Sequence, residues 1–78
     1  MPFALLDTVV LDRDVPEAGL RRGDLGAVVE VHGDTAVEVE FVAASGRTQA
    51  VVTLSVGDVR GVEDHDLIAV RSLDRAAG

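Results

Sequence analysis

The chain has 78 residues, with fourteen acidic residues, seven arginines and no lysine, so its formal net charge is −7. A chain of this length forms one domain and buries only about 60–65% of its unfolded surface, which leaves little room for an enzyme-sized pocket. The lack of cysteine excludes disulfides and thiolate metal sites. The clustered cations that bind nucleic acid are also missing.

No targeting or membrane segment is predicted. The apolar opening at residues 1–6 stops at Asp7, lacks a basic flank and is too short for a signal peptide. The longest uncharged run, Thr48 to Gly57, is far below the length that spans a bilayer. We therefore expect a soluble cytoplasmic protein with no membrane partner.

Short runs of alternating or β-branched side chains predict the strands in chain order. A tight Gly33-Asp34 turn joins the second strand to the third, and a single helical turn at Ser55 to Asp58 precedes the fifth. The last segment is a strand or, as the alternative, the start of a short helix, and residues 74–78 should fray. The predicted strands are Thr8–Leu11, Gly26–His32, Ala36–Val42, Gln49–Leu54, Val59–Val62 and Leu67–Val70.

Alternation also predicts which side chains face inward. In the second strand Ala27, Val29 and Val31 share the inner face, and in the third Glu38 and Glu40 point outward. The fourth strand is apolar on both faces, which favours a central position. The predicted core is Val9, Leu11, Leu20, Val29, Val31, Val37, Val39, Phe41, Val52, Leu54, Val59 and Ile68.

These elements predict an all-β fold, a small SH3-like antiparallel barrel of five to six short strands with one short helical turn. It forms a single domain over residues 1–78, and closure would remove the exposed strand edges. Gly19 and Gly23 are expected to take positive φ, and Gly26 to avoid a clash where the loop crosses the barrel end.

No catalytic, cofactor-binding or metal-binding residue is predicted. His32 lies beside a turn and His65 between two aspartates, and both are expected to be solvated. Chelation by His65 and its neighbours is the alternative, although adjacent residues of a strand point to opposite sides. The glycines from Gly19 to Gly26 resemble a phosphate loop, but no helix or lysine accompanies them.

Most of the chain resembles a bacterial family of small domains of unknown function, catalogued as number 4926. The resemblance implies an SH3-like barrel and no catalytic residues, and it suggests membership of toxin–antitoxin-like gene pairs. It rests on the segments Asp7–Leu11, Arg13–Glu17, Gly19–Gly26, Val28–Val31, Ala36–Phe41, Val52–Leu54, Asp58–Arg60 and Ile68–Arg71.

The Gly19–Val29 section also resembles the turn-and-strand signature of KOW-type modules in ribosomal proteins and transcription factors. Those modules carry basic loops where this chain has Glu17, Asp24 and Asp34. Similar barrels occur as accessory parts of photosynthetic complexes and of nitrile hydratase, which is an argument from analogy.

We therefore expect a non-catalytic protein-interaction module, in its most concrete form an antitoxin or immunity-type partner of a basic toxin. An accessory subunit of a metabolic enzyme is the first alternative, and a KOW-like nucleic-acid binder the second. A contribution of the acidic residues to solubility alone would also explain the net charge. Formation of a homo-oligomer through the strand edges is a further alternative. The candidate partner-binding residues are Glu38, Glu40, Asp24, Asp34, Arg21 and Arg22.

Overall fold

A computed structural model describes residues 2–73, and the predicted tail at 74–78 lies outside the described residues. This part contains five strands and two short 3-10 turns, at Pro16–Ala18 and Val56–Asp58. No helix within it is long and apolar enough to cross a membrane. The strands are β1 (Thr8–Leu11), β2 (Leu25–His32), β3 (Ala36–Val42), β4 (Thr48–Ser55) and β5 (Val59–Gly61).

The strands form one antiparallel sheet in the order β4-β3-β2-β1-β5. The three-residue turn at Val56–Asp58 joins β4 to β5, although these strands lie at opposite ends of the sheet. The sheet must therefore curl strongly. The all-β antiparallel class with one helical turn before β5 is confirmed, but no pairing of β4 with β5 closes a barrel within residues 2–73.

The inner face of the curled sheet carries the core. Buried aliphatic side chains from all five strands surround Phe41, which is 3% exposed. Val15 and Leu20, which form an isolated bridge in the β1–β2 connection, complete one end. The core cluster is Val9, Leu11, Val15, Leu20, Val28, Val37, Val39, Phe41, Leu54 and Val59.

The predicted inner face of β2 is wrong at Val29, which is 38% exposed, whereas Val28 is fully buried. A β-bulge lies between Val28 and Glu30, so Val29 is an extra residue without a partner in the β2–β3 register. A bulge shifts the alternation by one position. Val28 and Val31 therefore both face inward, and Glu30 faces outward.

Two further predictions are wrong. Leu67–Val70 is neither strand nor helix, and Ile68 is 66% exposed and not a core residue. β4 is an edge strand, not a central one, and the outward side chain of Val51 is half-exposed for that reason. An apolar residue on the outer side of an edge strand looks the same in sequence as one in a central strand.

Three glycine predictions are confirmed. Gly19 and Gly23, in the β1–β2 connection, have φ +71° and +97°. Gly26 is buried, and a Cβ placed there would lie 2.5 Å from Val39 Cγ1 and 2.9 Å from Phe41 Cε1. Only a residue without a side chain fits at that point.

Candidate functional site

Glu30, Glu38 and Glu40 form an acidic strand face on the outer side of β2 and β3. Glu30 lies directly opposite Glu38 in the antiparallel register, and Glu40 follows Glu38 by two residues on the same face. Residues two apart in a strand point to the same side. The bulge at Val29 brings Glu30 to this face. The sequence predicted only Glu38 and Glu40 of this face, and both belong to β3.

Two threonine hydroxyls hold the carboxylates of Glu38 and Glu40 in place without neutralising their charge. Thr53 Oγ1 donates a hydrogen bond to Glu38 Oε1 at 3.3 Å, and Thr48 Oγ1 donates one to Glu40 Oε2 at 2.6 Å. Both threonines belong to the edge strand β4. Among residues 2–73, no arginine pairs with Glu30, Glu38 or Glu40.

Four arginines instead pair with aspartates of the loops and of the segment after β5. None of these four reaches the acidic strand face, so its three neighbouring carboxylates keep their negative charge. These arginine–aspartate pairs are Arg13–Asp58 at 3.3 Å, Arg22–Asp12 at 3.2 Å, Arg60–Asp66 at 2.8 Å and Arg71–Asp24 at 2.6 Å.

Asp24, predicted as a partner-binding residue, has a structural role. Its carboxylate accepts two hydrogen bonds from the Arg71 guanidinium and one from the Arg21 backbone N–H. Burial raises the pKa of Asp24, but the bonds from Arg71 and Arg21 outweigh this, so the pKa is lowered overall. The carboxylate is therefore engaged within the chain.

The other predicted partner residues fall into two groups. Arg21 and Arg22 are exposed in the β1–β2 loop near Asp24, whereas Asp34 lies in the β2–β3 turn beside the acidic strand face. The eight residues of β2 separate these ends by about 26 Å. The six residues do not form one surface. Glu38 lies near the middle of the strand pair, and Glu40 lies opposite Ala27, towards the end of β2 that begins after Asp24.

The glycine-rich loop has no vacant anion cradle. The backbone N–H of Arg21 donates to Asp24 Oδ2 and that of Arg22 to Asp14 Oδ1, each at 2.8 Å. Backbone groups that would hold a phosphate are bonded to carboxylates of the chain itself. Within residues 2–73, the helical element beside the loop is the three-residue turn at Pro16–Ala18.

A second surface was missed by sequence reasoning. Residues 66–71 line one side of a groove of about 560 Å³, together with Val10, Leu25 and Phe41. Ion pairs fix both ends of this C-terminal strap, residues 66–71: Arg60–Asp66 at one end and Arg71–Asp24 at the other. Between them Leu67 and Val70 are 93% and 98% exposed.

The anchor at Asp66 is well defined. Arg60 donates two hydrogen bonds to the carboxylate, and the Glu63 backbone N–H donates a third at 2.7 Å. The Arg60 bonds and then the Glu63 bond lower the pKa of Asp66 from 3.8 to about 2. The apolar residues of the strap were the sequence feature that indicated an ordered element, but they predicted a strand, and the structure has an irregular segment.

His32 is the histidine that the fold places in a cluster of possible metal-binding groups. Its Nε2 lies 3.7 Å from Glu38 Oε1, and one donor atom each of Glu30, His32 and Glu38 lies within 4.8 Å of the others. The Nε2 atom of His65 lies 3.9 Å from Glu63 Oε2, and the His65 side chain is 89% exposed.

Residues 5–60 match the model of a family described as "Domain of unknown function (DUF4926)". The match covers more than half of the chain, and the chain therefore belongs to this family. It includes the acidic strand face and all of β1 to β4, and it ends within β5 before the C-terminal strap. No curated protein and no solved structure matches the chain.

Proposed function

We propose that this member of the DUF4926 family is a non-catalytic protein-interaction module that binds a basic protein. One observation carries the proposal: three carboxylates without an arginine partner lie together on the acidic strand face, whereas Asp12, Asp24, Asp58 and Asp66 are each paired with an arginine. An antitoxin or immunity-type role against a basic toxin such as a nuclease is its most concrete form.

The physical argument is electrostatic complementarity. Glu30 and Glu38 lie directly opposite each other, an arrangement that like charges disfavour. Lysine or arginine side chains of a partner relieve this repulsion, and the summed field accelerates their approach. Because Glu38 and Glu40 stand on paired strands and are bonded to threonines, they are held in place before binding, which lowers the entropic cost.

The test is capture of host proteins on immobilised chain, with wild type compared against Glu38→Arg/Glu40→Arg. EDTA is included so that metal ions play no part. We expect a basic protein that wild type retains and the variant loses, because two carboxylates have become repulsive. Circular dichroism checks that the variant is folded.

Glu17→Arg/Asp64→Arg is the matched control, because each pair of reversals changes the net charge from −7 to −3. Glu17 and Asp64 are exposed, and neither side chain bonds to another residue within 2–73. The control should retain the basic protein. Equal loss in both variants would show that net charge alone acts, and a retained protein without basic character would contradict the proposal.

An accessory subunit of a metabolic enzyme is the second candidate, and the C-terminal strap favours it. Permanent complexes bury apolar surface, and Leu67, Ile68 and Val70 are exposed apolar residues in one segment. Such a partner would stay bound at high salt and would be lost from Leu67→Ser/Val70→Ser. Capture that is insensitive to salt and sensitive to the strap would replace our first proposal by this one.

Nucleic acid should bind no better than background, since a phosphate backbone requires clustered cations. The arginines that could form a patch, Arg13, Arg22, Arg60 and Arg71, are paired with aspartates. Binding of an unrelated oligonucleotide at about micromolar Kd and physiological salt would revive the KOW-like alternative.

A further inference from the structure

We propose that Glu30, His32 and Glu38 form a binding site for a divalent transition-metal ion of the Zn²⁺ type. One donor atom from each residue lies within 4.8 Å of the others, and the three side chains are exposed or half-buried. The inference goes beyond the proposed function, because it requires no protein partner.

The strand register brings these donors together. Glu30 and His32 are two residues apart in β2 and share its outer face, while Glu38 of β3 lies directly opposite Glu30. His32 pairs with Ala36, so Glu38 is its diagonal neighbour, and their side chains approach to 3.7 Å. The donors come from two paired strands and not from a mobile loop, which fixes their spacing.

The charge of the two carboxylates favours a cation between them. Two carboxylates face each other across the strands, and no arginine of the described part compensates them. Such a pair is destabilising unless positive charge lies between the two groups. A divalent ion supplies that charge with no change in the backbone.

The donor set selects the kind of metal. Two carboxylates alone would suit Mg²⁺ or Ca²⁺, which prefer oxygen ligands, but an imidazole nitrogen favours Zn²⁺, Ni²⁺ or Cu²⁺. Three protein ligands leave one position of a tetrahedral ion open for water or a further ligand. The hydrogen bond from Thr53 Oγ1 to Glu38 orients that carboxylate from outside the site.

The test is isothermal titration of Zn²⁺ into the wild-type chain, His32→Ala and Glu38→Gln, with His65→Ala as the matched control. His65 is the other histidine of the chain, and within residues 2–73 it belongs to no cluster of three possible metal-binding groups. We expect one Zn²⁺ per chain, at least about tenfold weaker binding in the first two variants, and a change under about twofold in the control.

A second measurement locates the ion. In the wild-type chain the imidazole resonances of His32, and not those of His65, should shift on addition of Zn²⁺, while Mg²⁺ at the same concentration should leave them unchanged. Unaltered affinity in His32→Ala, greater loss in His65→Ala, or Mg²⁺ binding as tight as that of Zn²⁺ would overturn the site. The assay contains no protein partner, so its failure is separate from that of the interaction proposal.

Discussion

Gly26 is the residue at which the packing of the sheet leaves least room. A Cβ there would lie 2.5 Å from Val39 Cγ1, 2.9 Å from Phe41 Cε1 and 3.0 Å from the Glu40 carbonyl oxygen. The two side chains belong to the core, so they have little space to move aside.

Gly26→Ala should therefore lower the free energy of unfolding by about 1–3 kcal/mol, measured by urea denaturation. Gly61→Ala is the control, because a Cβ at Gly61 meets no atom within 4 Å and its φ is not positive. The control should stay within about 0.5 kcal/mol of wild type. Equal stability of the two variants would show that the core beside Gly26 is looser than described.

Phe41 is the largest side chain of the core and is 3% exposed. Phe41→Ala should cost about 3–5 kcal/mol, a large part of the stability of a domain this small. Phe41→Leu, which keeps most of the buried volume, should cost clearly less. Thermal melting measures both, and melting of Phe41→Ala within a degree or two of wild type would contradict the inward face of β3.

At the scale of elements, the bulge in β2 decides which side chains reach the core. Val28→Ala should cost about 2 kcal/mol more than Val29→Ala, because Val28 is fully buried and Val29 is 38% exposed. Urea denaturation of the two variants measures the difference. A larger loss in Val29→Ala would restore the regular alternation that the sequence favours and remove the bulge.

The sequence predicted β1, β3 and the 3-10 turn before β5 well, since alternating side chains and glycine turns are local signals. It could not locate the bulge, because Val28 and Val29 are both valine and either can face inward. It also could not show that Leu67–Val70 lacks a partner strand, which depends on sheet order and on ion pairs to Arg60 and Asp24. Glu38 and Glu40 were predicted from alternation, but Glu30 joins them only through the bulge.

The C-terminal strap is an element whose anchor at Asp66 depends on pH. The folded chain lowers the pKa of Asp66 from 3.8 to about 2. The stabilisation it provides is therefore complete above about pH 3.8 and is lost as the pH falls through about 2. Amide resonances of residues 63–71 should report a transition centred near pH 2, which Asp66→Asn should abolish. Titration of the Asp66 carboxyl at 3.8 would show that the Arg60 anchor does not form in solution.

At the scale of the whole molecule, charge is separated into two regions. The loop end holds the Arg–Asp pairs and the C-terminal strap, and the outer side of β2 and β3 holds the acidic strand face. Paired charges contribute little field at a distance, so the net charge of −7 acts mainly through the unpaired carboxylates. Three of these carboxylates, Glu30, Glu38 and Glu40, lie together on one face, so we expect a basic protein to approach from that side of the sheet.

The most direct measurement is the association rate of the captured basic protein with wild type, Glu38→Arg/Glu40→Arg and Glu17→Arg/Asp64→Arg, at low and physiological salt. Association with wild type should slow as salt rises, because the screening length falls to about 8 Å at physiological ionic strength. At low salt the strand-face variant should be slower by about tenfold or more and the control by less than about threefold. Equal rates for the two variants, or a wild-type rate independent of salt, would contradict recognition by the acidic strand face.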